Sequence, residues 1–285
     1  MNTAPCHSYR SYHWWKPCLG IFKTRLIAGM QYRAAAWAGV ATQFFWGAMQ
    51  LIVFYAFYRS AGLAAVQPAP MSFRALADLV WLRQSFLALV MLWATDNELL
   101  EIIASGNVAY ELCRPLSLYA FWFARILAYR ISRTLLRCFP ILVICSFLPE
   151  PYGFHLPPDL SAALCFIPAI AMAALLTTAL SLFGCLITFK SLSPYAGRLL
   201  LGVTGEFFMG AIIPIPFMPP LMQTITGFLP FRYTADFPFR VWSGDIAGAK
   251  ALAGLAVQFL WLAVLVGLGA WGFRAALRRV VVQGG

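Results

Sequence analysis

The side chains able to do chemistry in this sequence are few and widely spaced. Arg130, Arg133 and Arg137 stand at i, i+3 and i+7, which sets them on one face of a helix. Three guanidiniums so placed could form a basic wall for anionic or amphiphilic molecules. The blander and favoured reading has them snorkelling to phosphate headgroups. Glu206 is the one acid well inside an apolar run. Pairing with an arginine across helices is its favoured role, ahead of a substrate or gating contact and a proton relay. Arg83 lies near the end of another apolar run, where it is expected to snorkel outward, with a place on a translocation path as the alternative. Arg83, Arg130, Arg133, Arg137 and Glu206 are therefore the candidate translocation path.

Covalent chemistry finds little support. GxxxxGK[ST], HExxH and GxSxG are all absent, so nothing cradles phosphates, holds zinc on a helix or presents a nucleophile elbow. The seven cysteines contain no CxxC pair, and His7, His13 and His155 lack ligand spacing. Tyr152, His155 and Asp159 share one polar stretch, in no pattern that a lipid-modifying enzyme would need. The chain is expected to be non-catalytic and to bind no cofactor or metal of its own.

These groups must be positioned by membrane helices. Of 285 residues, 61% are hydrophobic and 11% charged, against about 25% charged in a soluble domain. A soluble fold of this size could not hide that surface. The net charge of +11 is read as topology rather than nucleic-acid binding, for which no basic and aromatic module exists. The expected class is all-α and polytopic, with about six spans: Ala34–Tyr58, Leu79–Trp93, Tyr119–Phe147, Ser161–Phe189, Leu199–Ile213 and Leu252–Phe273. Leu19–Arg33 mixes basic and apolar residues in the manner of an interfacial helix. Residues 1–33 then form a cytoplasmic tail and interfacial helix, 34–279 the six-helix domain, and 280–285 a cytoplasmic tail. Basic residues outnumber those of the opposite side by better than about two to one when both termini are inside, so N-in/C-in in a cytoplasmic membrane is expected. The N-terminus shows no cleavable signal pattern.

One polar gap stands out. Between the second and third runs, Glu98–Pro115 reads ELLEIIASGNVAYELCRP. Leu99, Ile102 and Ile103 recur at helical spacing, with Glu98 and Glu101 opposite, and Ser105-Gly106-Asn107 breaks the helix. Its acids disfavour an anionic leaflet, so a protein partner gripped through the apolar positions is the better reading.

Here SGNVAYELCRPLSLYAFWFAR resembles the segment after the second span in ABC-2 superfamily permeases. The likeness is strongest to the branch of ABC-2 family transporter proteins that includes viologen-exporter-type systems. Gly210–Ile246 resembles that branch's external region, through Ile213-Pro214, Pro216, Leu229-Pro230-Phe231, Asp236, Pro238 and Gly244. The resemblance spans roughly Tyr32–Arg279. It implies a permease subunit that pairs with itself or a related permease. Separate cytoplasmic ATPase subunits would use ATP and Mg to drive export, and the arginine stripe with a lipid-accessible seam makes a hydrophobic, amphiphilic or drug-like cargo the expected one. It also implies that Glu98, Glu101, Ile102, Ile103, Gly106, Tyr110, Glu111, Arg114 and Pro115 belong to the coupling helix that meets the ATPase. An ion-coupled secondary transporter is the alternative, although the halves show no repeat.

Overall fold

The computed structural model describes residues 15–60, 70–112, 116–191 and 193–278. The expected terminal tails fall mostly outside these residues, as do Arg114 and Pro115. The described residues are all-α, with twelve helices and no strand.

The chain begins with α1 (Trp15–Met30), which runs along a later helix, and turns through Gln31 and Tyr32 into α2 (Arg33–Ser60). Then come α3 (Phe73–Ser85) and the single turn α4 (Leu87–Val90). A pair of short helices follows, α5 (Asn97–Ala104) and α6 (Val108–Leu112). The long helices α7 (Leu118–Ser146) and α8 (Leu160–Ser191) lead into α9 (Pro194–Phe208). Short pieces come next, with a 3-10 turn at Ile215–Phe217, α10 (Pro220–Phe228), a second turn at Pro230–Thr234 and α11 (Asp236–Trp242). The last helix is α12 (Ala249–Leu277).

Three of these, α2, α8 and α12, are long and apolar enough to cross a membrane. The surfaces of α2 and α12 suit lipid: Trp37, Phe45 and Ile52 on α2 and Leu252, Phe259 and Trp271 on α12 are all exposed. The other expected spans are built differently. At 29 residues α7 is long enough, but it carries Arg125, Arg130, Arg133 and Arg137. The second run is interrupted at Phe86, between α3 and α4. The fifth is displaced towards the N-terminus. Pro194, with φ preset for a first helical turn, starts α9 ahead of Leu199, and the helix is over by Phe208. Its 15 residues extend about 22 Å, short of a ~30 Å hydrocarbon core.

At the centre lies α8. Ala169, Ala173, Leu176, Ala179 and Leu182 have no exposed surface, and α7, α9, α11 and α12 all pack on it. Its buried hydroxyls stay satisfied inside the helix: Thr177, Thr178, Ser181 and Thr188 donate to the carbonyls of Ala173, Ala174, Thr177 and Gly184 at 2.7–3.0 Å. The stretch after α9 is not a surface loop. Phe237, Pro238, Phe239 and Val241 of α11 are buried, and α11 packs on α3 and α8. Gln258 fastens this return to the bundle, donating to Ala169 O at 2.8 Å and Tyr233 O at 2.9 Å.

Where α8 and α9 cross, the backbones touch. A Cβ on Gly197 would collide with the Gly184 carbonyl, which is backbone and cannot swing aside. Gly197→Val is expected to destabilise the chain by about 1–3 kcal/mol, the usual cost of overpacking. Gly267→Ala, where a Cβ meets nothing within 4 Å, should be neutral. Melting of the two variants in detergent checks this.

Candidate functional site

The amphipathic stretch forms a small helical hairpin at the end of the bundle where α7 begins. Its start is prepared by Asp96, whose backbone is extended and whose Oδ1 accepts from Leu99 N at 3.4 Å, capping α5. Gly106, at φ 77°, makes the turn between α5 and α6, a left-handed conformation that suits a residue without Cβ.

The apolar anchors point opposite to expectation. Leu99, Leu100, Ile103 and Val108 are buried in a cluster with Trp122, Ile126, Leu182 and Phe273. Ile102 packs against the same cluster. These residues hold the hairpin to its own bundle and are not the grip for a partner. The reason is local: α7, α8 and α12 converge there and offer more apolar surface than solvent does. Besides Asn97 and Glu98, which are exposed but partnered, what remains outward is Glu101, Ser105, Gly106, Asn107, Tyr110 and Leu112, with Tyr110 78% exposed.

Charge clamps the hairpin as well. Arg125, 3% exposed, donates from Nε to Asp96 Oδ2 at 2.7 Å, and its Nη2 lies 2.9 Å from Glu98 Oε2. Arg25 of α1 makes a two-pronged contact with Glu98, at 2.9 and 3.1 Å. Those Arg25 hydrogen bonds hold the Glu98 carboxyl below the ordinary carboxylate range. Glu111 accepts from Trp122 Nε1 at 2.6 Å, and Arg198 of α9 reaches Asn97 Oδ1 at 3.1 Å. Glu98, Ile103 and Glu111 therefore belong to the hairpin's mounting, while Glu101, Gly106 and Tyr110 form its free edge. The hairpin is tied to α1, α7 and α9 together. Sequence spacing alone could not identify this clamp, because Arg25, Asp96, Arg125 and Arg198 come from four separated segments.

The candidate path residues separate into three settings. Arg130 is fully buried and does not snorkel. Its Nη1 donates to the carbonyls of Ala88, Leu89 and Met91 at 3.1, 3.2 and 2.9 Å, and its Nη2 to Ser181 Oγ at 2.7 Å. These carbonyls lie where α4 ends and the chain leaves helical form inside the bundle. Backbone of that kind needs partners in an apolar interior, and a helix C-terminus attracts a cation. Arg83 is also buried rather than snorkelling. It reaches the carbonyls of Gly210 and Ala211, at 3.2 and 2.7 Å, and Gln50 Oε1 at 2.6 Å. Those carbonyls follow the C-terminus of α9, where Gly210 turns at φ 77°. Both arginines thus plug broken helices. Glu206, in the last turn of α9, is half-buried and makes no direct ion pair with Arg83.

Arg133 and Arg137 turn elsewhere, into a cavity between α1, α2 and α7. Arg133 lies 4.1 Å over the Tyr129 ring. The expected single stripe of three arginines is therefore a buried plug and a separate accessible pair.

At the far end, the residues of the external block serve packing. Pro214 and Pro230 are buried, and Pro216 and Phe231 are half-buried, with Phe231 stacking on Phe208. Asp236, 3% exposed, sits between Arg232 and Arg240 at 3.3 and 3.4 Å. Nearby His155 is held by Asp78 and Glu150 at 2.9 and 3.0 Å, and Asp159 accepts from Ala162 N at the start of α8. Tyr152 gives its carbonyl to Trp81 Nε1 at 2.7 Å, so the polar trio is dispersed into three contacts. Gly202 and Gly205 face Trp93 and Leu92 of the same chain. Among the described residues no group of acids, histidines and cysteines could hold a metal ion.

The chain matches no protein-family model and no curated protein sequence.

Proposed function

We propose that this chain is the membrane-embedded permease subunit of an ATP-driven exporter of the ABC-2 kind. Six spans, with both termini in the cytoplasm, would come from α2, the broken α3–α4 pair, α7, α8, α9 with the segment after it, and α12. The observation that carries the reading is the α5–α6 hairpin. It is mounted on α1, α7, α8 and α9 and leaves a polar edge around Glu101 and Tyr110 free. A push on that edge reaches several long helices at once, which is what force transmission from a soluble motor requires. The resemblance of Ser105–Arg125 and Gly210–Ile246 to that superfamily supports the same reading.

In operation, paired cytoplasmic ATPases would close on ATP and Mg, displace the hairpin and change which side of the bundle is open. Hydrophobic or amphiphilic cargo would pass at the seam between this permease and a second one, identical or related. Arg83 and Arg130 support broken helices in this scheme and do not touch cargo.

The test is co-purification with an ATPase partner and ATP-dependent efflux in cells. Glu101→Lys with Tyr110→Ala is expected to cut efflux and partner recovery by about tenfold, as loss of an interface anchor does. The melting temperature of the chain should stay as it was, since both side chains are exposed. Full efflux and assembly in the double variant would reject the hairpin as the coupling element. Transport that follows the proton gradient and ignores ATP would reject the exporter reading itself.

A further inference from the structure

We propose that the cleft where α1 turns into α2 binds the phosphodiester headgroup of an anionic phospholipid, with Arg133 and Arg137 as its cations. The cleft is a cavity of about 380 Å³ lined by residues of the α1–α2 corner and one face of α7, among them Tyr32, Ala36, Arg133, Leu136 and Arg137. A headgroup with its glycerol fits such a space, while acyl chains must leave it.

The charge in the cleft is unbalanced. Arg133 and Arg137 sit one turn apart on α7, a like-charge spacing that is unfavourable when nothing lies between. Neither makes an ion pair or hydrogen bond to any described residue. The acids beside this corner, Asp96 and Glu98, are already engaged by Arg125 and Arg25. Helix α1 brings Lys16, Lys23 and Arg25 and no acid. The guanidiniums are nevertheless held in place. Arg133 is stacked on Tyr129, and Arg137 lies so close to α2 that a Cβ on Gly39 would be 2.5 Å from its Cζ. Two oriented guanidinium forks with open donors are the chemistry that recognises phosphate oxygens.

The surroundings choose a lipid over free phosphate. The cleft lies at the first turns of α2, one of the helices able to cross a membrane, so it stands at headgroup level if α2 spans. From it an apolar stripe, Leu136, Phe139 and Val143, climbs α7 at i, i+3 and i+7, with Phe139 and Val143 exposed. A cation pair at the foot of an exposed apolar stripe matches a headgroup followed by an acyl chain. Arg25 borders the same cleft and holds Glu98, so the lipid would sit beside the mounting of the hairpin.

The inference rests on membrane insertion alone, and its test needs no ATPase. The purified chain in mild detergent is exposed to phosphatidylglycerol, phosphatidylcholine or inorganic phosphate, and retained lipid is counted by native mass spectrometry. Retention of one phosphatidylglycerol per chain, falling by about tenfold or more in Arg133→Gln with Arg137→Gln, is expected. Phosphatidylglycerol should raise the melting temperature of the original chain and not of the double variant. Without lipid the two should melt alike, because neither arginine holds another described residue by a hydrogen bond or ion pair. Equal retention of phosphatidylcholine, undiminished retention by the variant, or displacement of the lipid by millimolar phosphate would each overturn the proposal. A loss of melting temperature in the lipid-free variant would also overturn it, by making the pair structural.

Discussion

Arg130→Met should destabilise this protein by about 3–5 kcal/mol, more than any surface change, and the loss should appear as a lower detergent melting point and reduced yield. Arg130 is fully buried and satisfies three backbone carbonyls and one hydroxyl. Methionine fills similar volume but donates nothing. Each orphaned buried carbonyl costs about 1–3 kcal/mol, and partial relaxation of the chain around Met91 keeps the sum below the full total. Arg130→Lys should recover only part of the loss. An ammonium keeps the charge that favours the end of α4, yet it lacks the planar fork that serves the Ala88–Met91 carbonyls and Ser181 together. Arg133→Gln, on the same helix, is the comparison: its side chain is exposed, and its change should leave melting within about 0.5 kcal/mol. If Arg130→Met melts like Arg133→Gln, the plug carries no stability and Arg130 is free to serve as a path residue.

The contrast between Arg130 and Arg133 shows where sequence reading stops. Their spacing correctly put them on one helix. Whether a guanidinium meets lipid, water or protein depends on what packs against each part of that helix. Here the deciding feature is a helix break at Phe86–Met91, in a different segment. That break has no glycine or proline within Phe86–Met91 to announce it, so a continuous second span was the natural expectation. Proline could have announced the early start of α9, since Ser193-Pro194 is an ordinary helix opening. The long apolar helices were legible because length and hydropathy are local properties. The hairpin was legible as an amphipathic element, yet its direction was not: apolar spacing says that a face is buried, not against what. Inward burial of Leu99 and Ile103 became visible only with Trp122 and Phe273 in place.

The hairpin's mounting gives the second large effect. Asp96 caps α5 and neutralises Arg125, and both are nearly buried, at 8% and 3% exposure. Asp96→Ala removes the cap, worth about 1 kcal/mol, and leaves a buried guanidinium holding only the outer Glu98 carboxylate. Breaking a buried pair from one side costs about 3–5 kcal/mol, so the variant should lose most of its hairpin order. Hydrogen exchange across Asn97–Leu112 should accelerate strongly while α8, at the centre, stays protected. Removing the stranded charge should then help. Asp96→Ala with Arg125→Met is expected to be more stable than Asp96→Ala alone, the sign that the orphaned cation and not the lost contact dominates. Glu98→Gln should do far less, within about 1 kcal/mol, because Glu98 is 57% exposed and solvent screens its pairing. The same order, Asp96→Ala worst, the double variant intermediate and Glu98→Gln mild, should reappear in partner-coupled efflux if the hairpin carries force. A hairpin that loosens without loss of transport would separate its stability from any motor function.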